Sequence, residues 1–142
     1  MSDSMIPTEH QEQVRLMQWA NLTKFNDEPI GLYLVASQNG AKLPRFKTAH
    51  GFYSPQANKL IAEGLKKGFP DLQLLIPAGS YHGLFIELKR AKKSLSKISK
   101  EQKEWIERLN RQGYQAKVCY GADEAIETIK GYLCAQVHTQ KV

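Results

Sequence analysis

The stretch Gly68-Phe69-Pro70-Asp71-Leu72-Gln73-Leu74-Leu75-Ile76-Pro77-Ala78-Gly79-Ser80-Tyr81-His82-Gly83-Leu84-Phe85-Ile86-Glu87-Leu88-Lys89 decides how this chain is read. The runs 71–76 and 84–89 are strand-like, and the segment 77–83 between them is rich in turn formers, so the two runs pair as an antiparallel hairpin. Side chains alternate across a strand, which puts Glu87 and Lys89 on one face with Leu88 pointing away. With the hairpin centred near Ser80, Gln73 stands opposite Glu87 and Asp71 is its diagonal neighbour, roughly 7 to 8 Å away. Two carboxylates at that spacing can grip one divalent ion.

Hydrolysis of a phosphodiester needs a water made nucleophilic near neutral pH and a stabilised anionic phosphorane. A hard cation held by carboxylate oxygens serves both needs. Asp71 and Glu87 supply such oxygens, and Lys89 is placed to orient the water or neutralise phosphate charge. Glu-x-Lys alone is an ordinary ion pair of a half-exposed edge strand. The upstream Gly-Phe-Pro-Asp makes a metal-dependent nuclease centre the better reading.

Four signatures in order carry a family likeness: Gly68-Phe69-Pro70-Asp71-Leu72; Phe85-Ile86-Glu87-Leu88-Lys89; Ser99-Lys100-Glu101-Gln102 followed by Trp105 and Leu109; and Gly113-Tyr114. Gly121 to Ile126 and Tyr132-Leu133 extend it, as do Asn39-Gly40 and the N-terminal glutamates more weakly. The chain resembles the virus-type replication-repair nucleases, VRR-NUC, a branch of the PD-(D/E)XK nucleases. The resemblance implies an α/β restriction-endonuclease-like core, a mixed sheet flanked by helices. It implies Mg²⁺ or Mn²⁺ on Asp71, Glu87 and the backbone carbonyl of Leu88, with Lys89 assisting the water. It also implies a helical glutamate near the metal, for which the Thr-Glu-x-x-x-Gln arrangement favours Glu9 over Glu12, and a glutamine, Gln102. Acids at a helix start are also simply favoured there, and Ser99-x-x-Gln102 is itself a capping box. Small members of the family point to branched DNA, four-way (Holliday) junctions above all, in phage or bacterial replication and repair. A flap endonuclease or nickase of the same fold, or a non-catalytic nucleic-acid-binding module, is the alternative.

Outward from this centre, helix and strand periodicities alternate without repeats, as expected of one α/β domain over 1–142 with a core of about 8–134 and a frayed tail over 135–142. Thr8 and Gln11 form a capping box opening a helix to about Asn21, with apolar rows Val14, Met17 and Leu16, Ala20. A strand follows over Gly31–Ala36. Ser54-Pro55 opens a helix on which Ala57, Leu60, Ile61 and Leu65 share a side, ended by Gly68. Later come a helix from Lys100 to Gln112 capped by Ser99, a strand from Gln115 to Tyr120, and a helix from about Asp123 to Cys134.

Twenty lysines and arginines against fourteen acids give a net charge of +6, which favours a polyanionic partner. The connector after the hairpin concentrates it in Arg90, Lys92, Lys93, Lys97, Lys100 and Lys103, and Lys42, Arg45 and Lys47 form a second group. Arg90, Lys92, Lys93, Lys97, Lys42, Arg45 and Lys47 are the expected phosphate-binding residues. Cys119 and Cys134 lack metal-ligand spacing and read as buried free thiols. The histidines show no paired spacing for zinc. No basic, apolar leader or stretch of roughly 20 apolar residues appears, so the expectation is a cytoplasmic protein of a bacterial or phage-infected cell. A four-way junction has two symmetric cuts and one chain carries one centre, so a two-fold homodimer is expected, with Tyr53, Tyr81 or Trp105 as interface aromatics.

Overall fold

The computed structural model describes residues 5–37, 46–48 and 51–140, with side chains over 5–37 and 54–135. Its elements are α1 (Glu9–Leu22), β1 (Lys24–Phe25), β2 (Glu28–Pro29), a 3₁₀ turn (Ile30–Leu32), β3 (Leu34–Ala36), β4 (Phe46–Thr48), β5 (Gly51–Tyr53) and α2 (Pro55–Ala62). They continue through β6 (Leu72–Leu74), β7 (Leu84–Lys89), a second 3₁₀ turn (Lys93–Leu95), α3 (Lys100–Arg111), β8 (Gln115–Tyr120) and α4 (Ala122–Gln140).

A four-stranded mixed sheet in the order β3-β6-β7-β8 forms the centre, flanked by helices as the sequence implied. β7 runs antiparallel to β6 and parallel to β8, with α3 as the crossover. Every residue of β7 is buried. Alternation sorts them: Leu84, Ile86 and Leu88 join Leu16, Ala20, Ala125 and Ile129 under α1 and α4, whereas Phe85 packs with Leu109, Ala116, Trp105 and Tyr114 under α3. Glu87 and Lys89 lie on the α3 face by the same alternation. β7 is therefore no half-solvated edge strand, and the ordinary ion-pair reading of Glu-x-Lys fails with it.

Several expectations are corrected. Leu72 faces Ile86 and Gln73 faces Phe85, so Gln73 is not opposite Glu87. Extended by one residue, this register sets Asp71 directly across from Glu87, closer than the expected diagonal. The cause is the loop: Ala78 and Tyr81 exchange backbone hydrogen bonds of 3.2 and 2.9 Å around Gly79-Ser80, while His82 and Gly83 bond to Gly113 and Gln115 instead. Gly31–Ala36 is a 3₁₀ turn followed by a short strand. α2 stops at Ala62 with Ile61 exposed. α1 buries Glu12, Leu16 and Ala20 but leaves Val14 41% exposed. Cys119 is buried, whereas Cys134 is exposed. The β1–β2 hairpin lies outside the sequence reading, although its turn residues Asn26 and Asp27, both at positive φ, are of the type a two-residue hairpin demands. No helix among the described residues is long and apolar enough to cross a membrane.

Candidate active site at the end of the central strand

Each residue of Gly-Phe-Pro-Asp has a separate job in placing the carboxylate. Gly68 has φ of +82°, and a Cβ there would lie 2.6 Å from the carbonyl carbon of Glu101 and 2.7 Å from the nitrogen of Gln102. Only glycine lets this turn rest against the start of α3. Phe69 sets its ring edge-on to Phe85 and Trp105, with centroids 5.5 and 5.1 Å apart. Pro70 is fully buried, and its carbonyl accepts a 2.9 Å hydrogen bond from the Ser37 hydroxyl. Asp71 then lays its carboxylate across the end of β7, where Oδ2 accepts from the Leu88 backbone N–H at 2.8 Å.

Glu87 is 2% exposed and Lys89 7%. Lys89 Nζ stands 3.4 Å from Glu87 Oε1, and the Gln102 side-chain amide donates to the same oxygen at 2.6 Å. Gln102 also completes the capping box of α3: its Oε1 accepts from the Ser99 N–H at 2.9 Å, while Ser99 Oγ accepts from the Gln102 N–H. The two roles are one device. With its oxygen held by the cap, only its NH₂ can face Glu87.

Glu87 Oε2 is left buried without a hydrogen-bond partner. Burial, and then the neighbouring Asp71 charge, push the Glu87 carboxyl up to about 8, although Lys89 pulls the other way. Burial raises Asp71 as well, opposed mainly by the Leu88 N–H. An orphaned buried oxygen beside a second carboxylate is what a hard cation satisfies, and the oxygen-only donor set fits one. Among the described residues no three His, Cys, Asp or Glu side chains stand close enough to hold an ion by themselves. Asp71 and Glu87 would need the Leu88 carbonyl, waters or substrate oxygens to complete a shell. That suits Mg²⁺, which keeps waters and commonly takes one or two carboxylates.

Glu9 and Glu12 separate cleanly. Glu9 lines a cavity of about 800 Å³ together with Asp71, Leu88 and Arg90, and its charge raises both Asp71 and Glu87. Glu12 turns the other way. Its Oε2 accepts from the Ala122 N–H at 3.2 Å, at the start of α4, and its Oε1 pairs with Arg15, which reaches on to Asp123. Arg90 donates to the backbone carbonyls of Pro7 and Ile6 at 3.0 and 2.7 Å, fastening the lead-in of α1 to the end of β7. Lys92 and Lys97 are exposed, and Lys93 sits over the Tyr120 ring at 4.9 Å. Lys42 and Arg45 lie outside the described residues, as do the side chains of Lys47 and Tyr53. Trp105 is part of the α3 layer, and Tyr81 is partly exposed.

In the sequence alone, Arg90 belongs with the charge run and Glu12 is a rival of Glu9. Nothing local marks the role of either, because Ile6 and Pro7 lie far from Arg90 along the chain and Ala122 lies far from Glu12. The Gly68 approach to α3 does have a signal: a glycine directly before Phe-Pro-Asp.

A model of the VRR-NUC domain family matches residues 6–123, from the lead-in of α1 to the first turn of α4. Among solved structures, one described as a VRR_NUC domain protein is 34% identical, with a TM-score of 0.75, over 91% of this chain and 90% of that one. No curated protein matches.

Proposed function

The chain belongs to the VRR-NUC family, whose domain is of nuclease type, and from that premise we propose that it is a Mg²⁺- or Mn²⁺-dependent endonuclease acting on branched DNA. The buried, unpartnered Oε2 of Glu87 beside Asp71 carries this reading. Asp71, Glu87 and the Leu88 carbonyl would hold the cation, which when bound supplies a more acidic water and a counter-charge for the phosphate. Lys89, at the edge of the pair, orients the attacking water or neutralises phosphate charge. Gln102 holds Glu87 Oε1 so that Oε2 stays turned to Asp71, and Glu9 faces them across the cavity.

DNA is held through its phosphates by the connector lysines Lys92, Lys93 and Lys97, joined by Lys42, Arg45 and Lys47. Contacts to phosphates alone recognise shape, and a four-way junction presents two symmetric strands to a homodimer. Labelled junction, flap and linear DNA incubated with Mg²⁺, Mn²⁺ or chelator test this. Junctions should be cut with metal only, and Glu87→Ala should abolish cutting while binding stays within a few-fold. Cleavage that survives excess chelator would overturn it. Light scattering with a cruciform plasmid tests the assembly: a monomer that nicks without linearising would favour the flap endonuclease or nickase.

A further inference from the structure

The cavity at Asp71 runs on beside α1, past His10, Gln13, Val14, Met17, Gln18 and Asn21. These positions recur at helical spacing, so one face of α1 forms the wall. The face is unusual for an outer helix surface in a basic protein. Beyond Glu9 it carries three neutral amides, a histidine and two apolar side chains, Val14 exposed and Met17 only partly buried at the edge of the core. Among the described residues no lysine lines the cavity, and the one cation there, Arg90, is bonded to the carbonyls of Ile6 and Pro7. Phosphates are better served by the exposed connector lysines beyond β7. Amides offer donor and acceptor pairs to base edges, while apolar and imidazole groups offer a surface for a base plane.

Building on the nuclease reading, we propose that this groove receives an unpaired nucleobase of the substrate strand next to the phosphate being cut. Three features commit it to that occupant. The groove is continuous with Asp71, its lining along α1 beyond Glu9 is amide, imidazole and apolar with no carboxylate or lysine among the described residues, and its volume lies within the range of small-molecule sites. A continuous duplex has no base to give it. A branch or flap frees one at low cost, so the groove would select branched substrates without reading sequence.

The test uses the full chain and a flap DNA carrying either a normal nucleotide or an abasic analogue at the unpaired position beside the branch. Binding is read by fluorescence anisotropy in chelator, and cleavage separately in Mg²⁺ or Mn²⁺. The wild type should bind the abasic flap about tenfold more weakly, a loss typical for one stacked base. The combined variant Gln13→Ala, Val14→Ala and Gln18→Ala, all on the helix surface where alanine is well tolerated, should bind both flaps equally. Equal binding of both flaps by the wild type would overturn the groove, even if metal-dependent cleavage is seen. A base-dependent difference without any cleavage would sustain the groove and overturn the nuclease reading. Should the triple variant melt early, Gln18→Ala alone should reduce the difference in the same direction, and an unchanged difference in it would count against the groove.

Discussion

Glu87 is held in a state unfavourable to the protein alone. Below about pH 4.5 its carboxyl is protonated both folded and unfolded. Between there and about 8 the folded chain keeps a proton that the unfolded chain releases, so stability falls as pH rises, and the loss is complete above about 8. In chelator the wild type should therefore melt at progressively lower temperature from pH 5 to 9. Glu87→Gln should flatten that decline, melt higher at pH 9 and lack cleavage, because its amide can donate toward Asp71 while its oxygen still faces Gln102 and Lys89. Parallel melting curves for the two proteins would contradict this. Divalent cation should raise the wild-type melting temperature most at the alkaline end. Asp71, Glu87 and Lys89 are legible in the sequence because strand alternation brings close residues to one face. Arg90 is not, since a guanidinium on a distant backbone carbonyl leaves no local pattern.

At the scale of elements, the first turn of α3 is clamped between Gly68 and Glu87. Adding a methyl at position 68 would demand a strained φ and press on the Glu101–Gln102 backbone. Gly68→Ala should cost about 1–3 kcal/mol in denaturant unfolding. It should also lower turnover by displacing the Gln102 amide. If that is the route, Gly68→Ala combined with Gln102→Ala should lose little more activity than the worse single variant, whereas additive losses would mean separate actions. Both capping boxes, at Thr8 and Ser99, are readable from residue type and spacing alone. The β6–β7 register is not, because it is set by His82 and Gly83 bonding to the turn after α3, an arrangement that exists only in the assembled fold. Likewise the periodicity of α1 shows two apolar rows but cannot show which will face the sheet.

Across the whole molecule, the proposed division of labour separates holding DNA from cutting it. Replacing Lys92, Lys93 and Lys97 together by alanine should weaken junction binding and flatten its log-log salt dependence by close to one unit for each phosphate that is no longer neutralised. An unchanged slope would mean that the connector is not used. Melting should shift little, since all three side chains lie on the exposed surface of the connector.

The buried carboxylate of Glu12, bonded to the Ala122 N–H and pressed close to Gly121, has a bearing on synthesis. In synthesis α1 emerges before the sheet, but Ala122, the backbone partner of Glu12, emerges only after the last strand of the central sheet. Until then Glu12 lacks that backbone partner and the packing of α1 against α4 is unmade, so the helix that carries Glu9 is held only in part. On the proposed function, the corner between β8 and α4 would then have to form before the cutting site is complete. Stalled nascent chains should show this directly: with Ala122 still inside the exit tunnel, α1 should remain open to protease, and it should become protected once that corner is released.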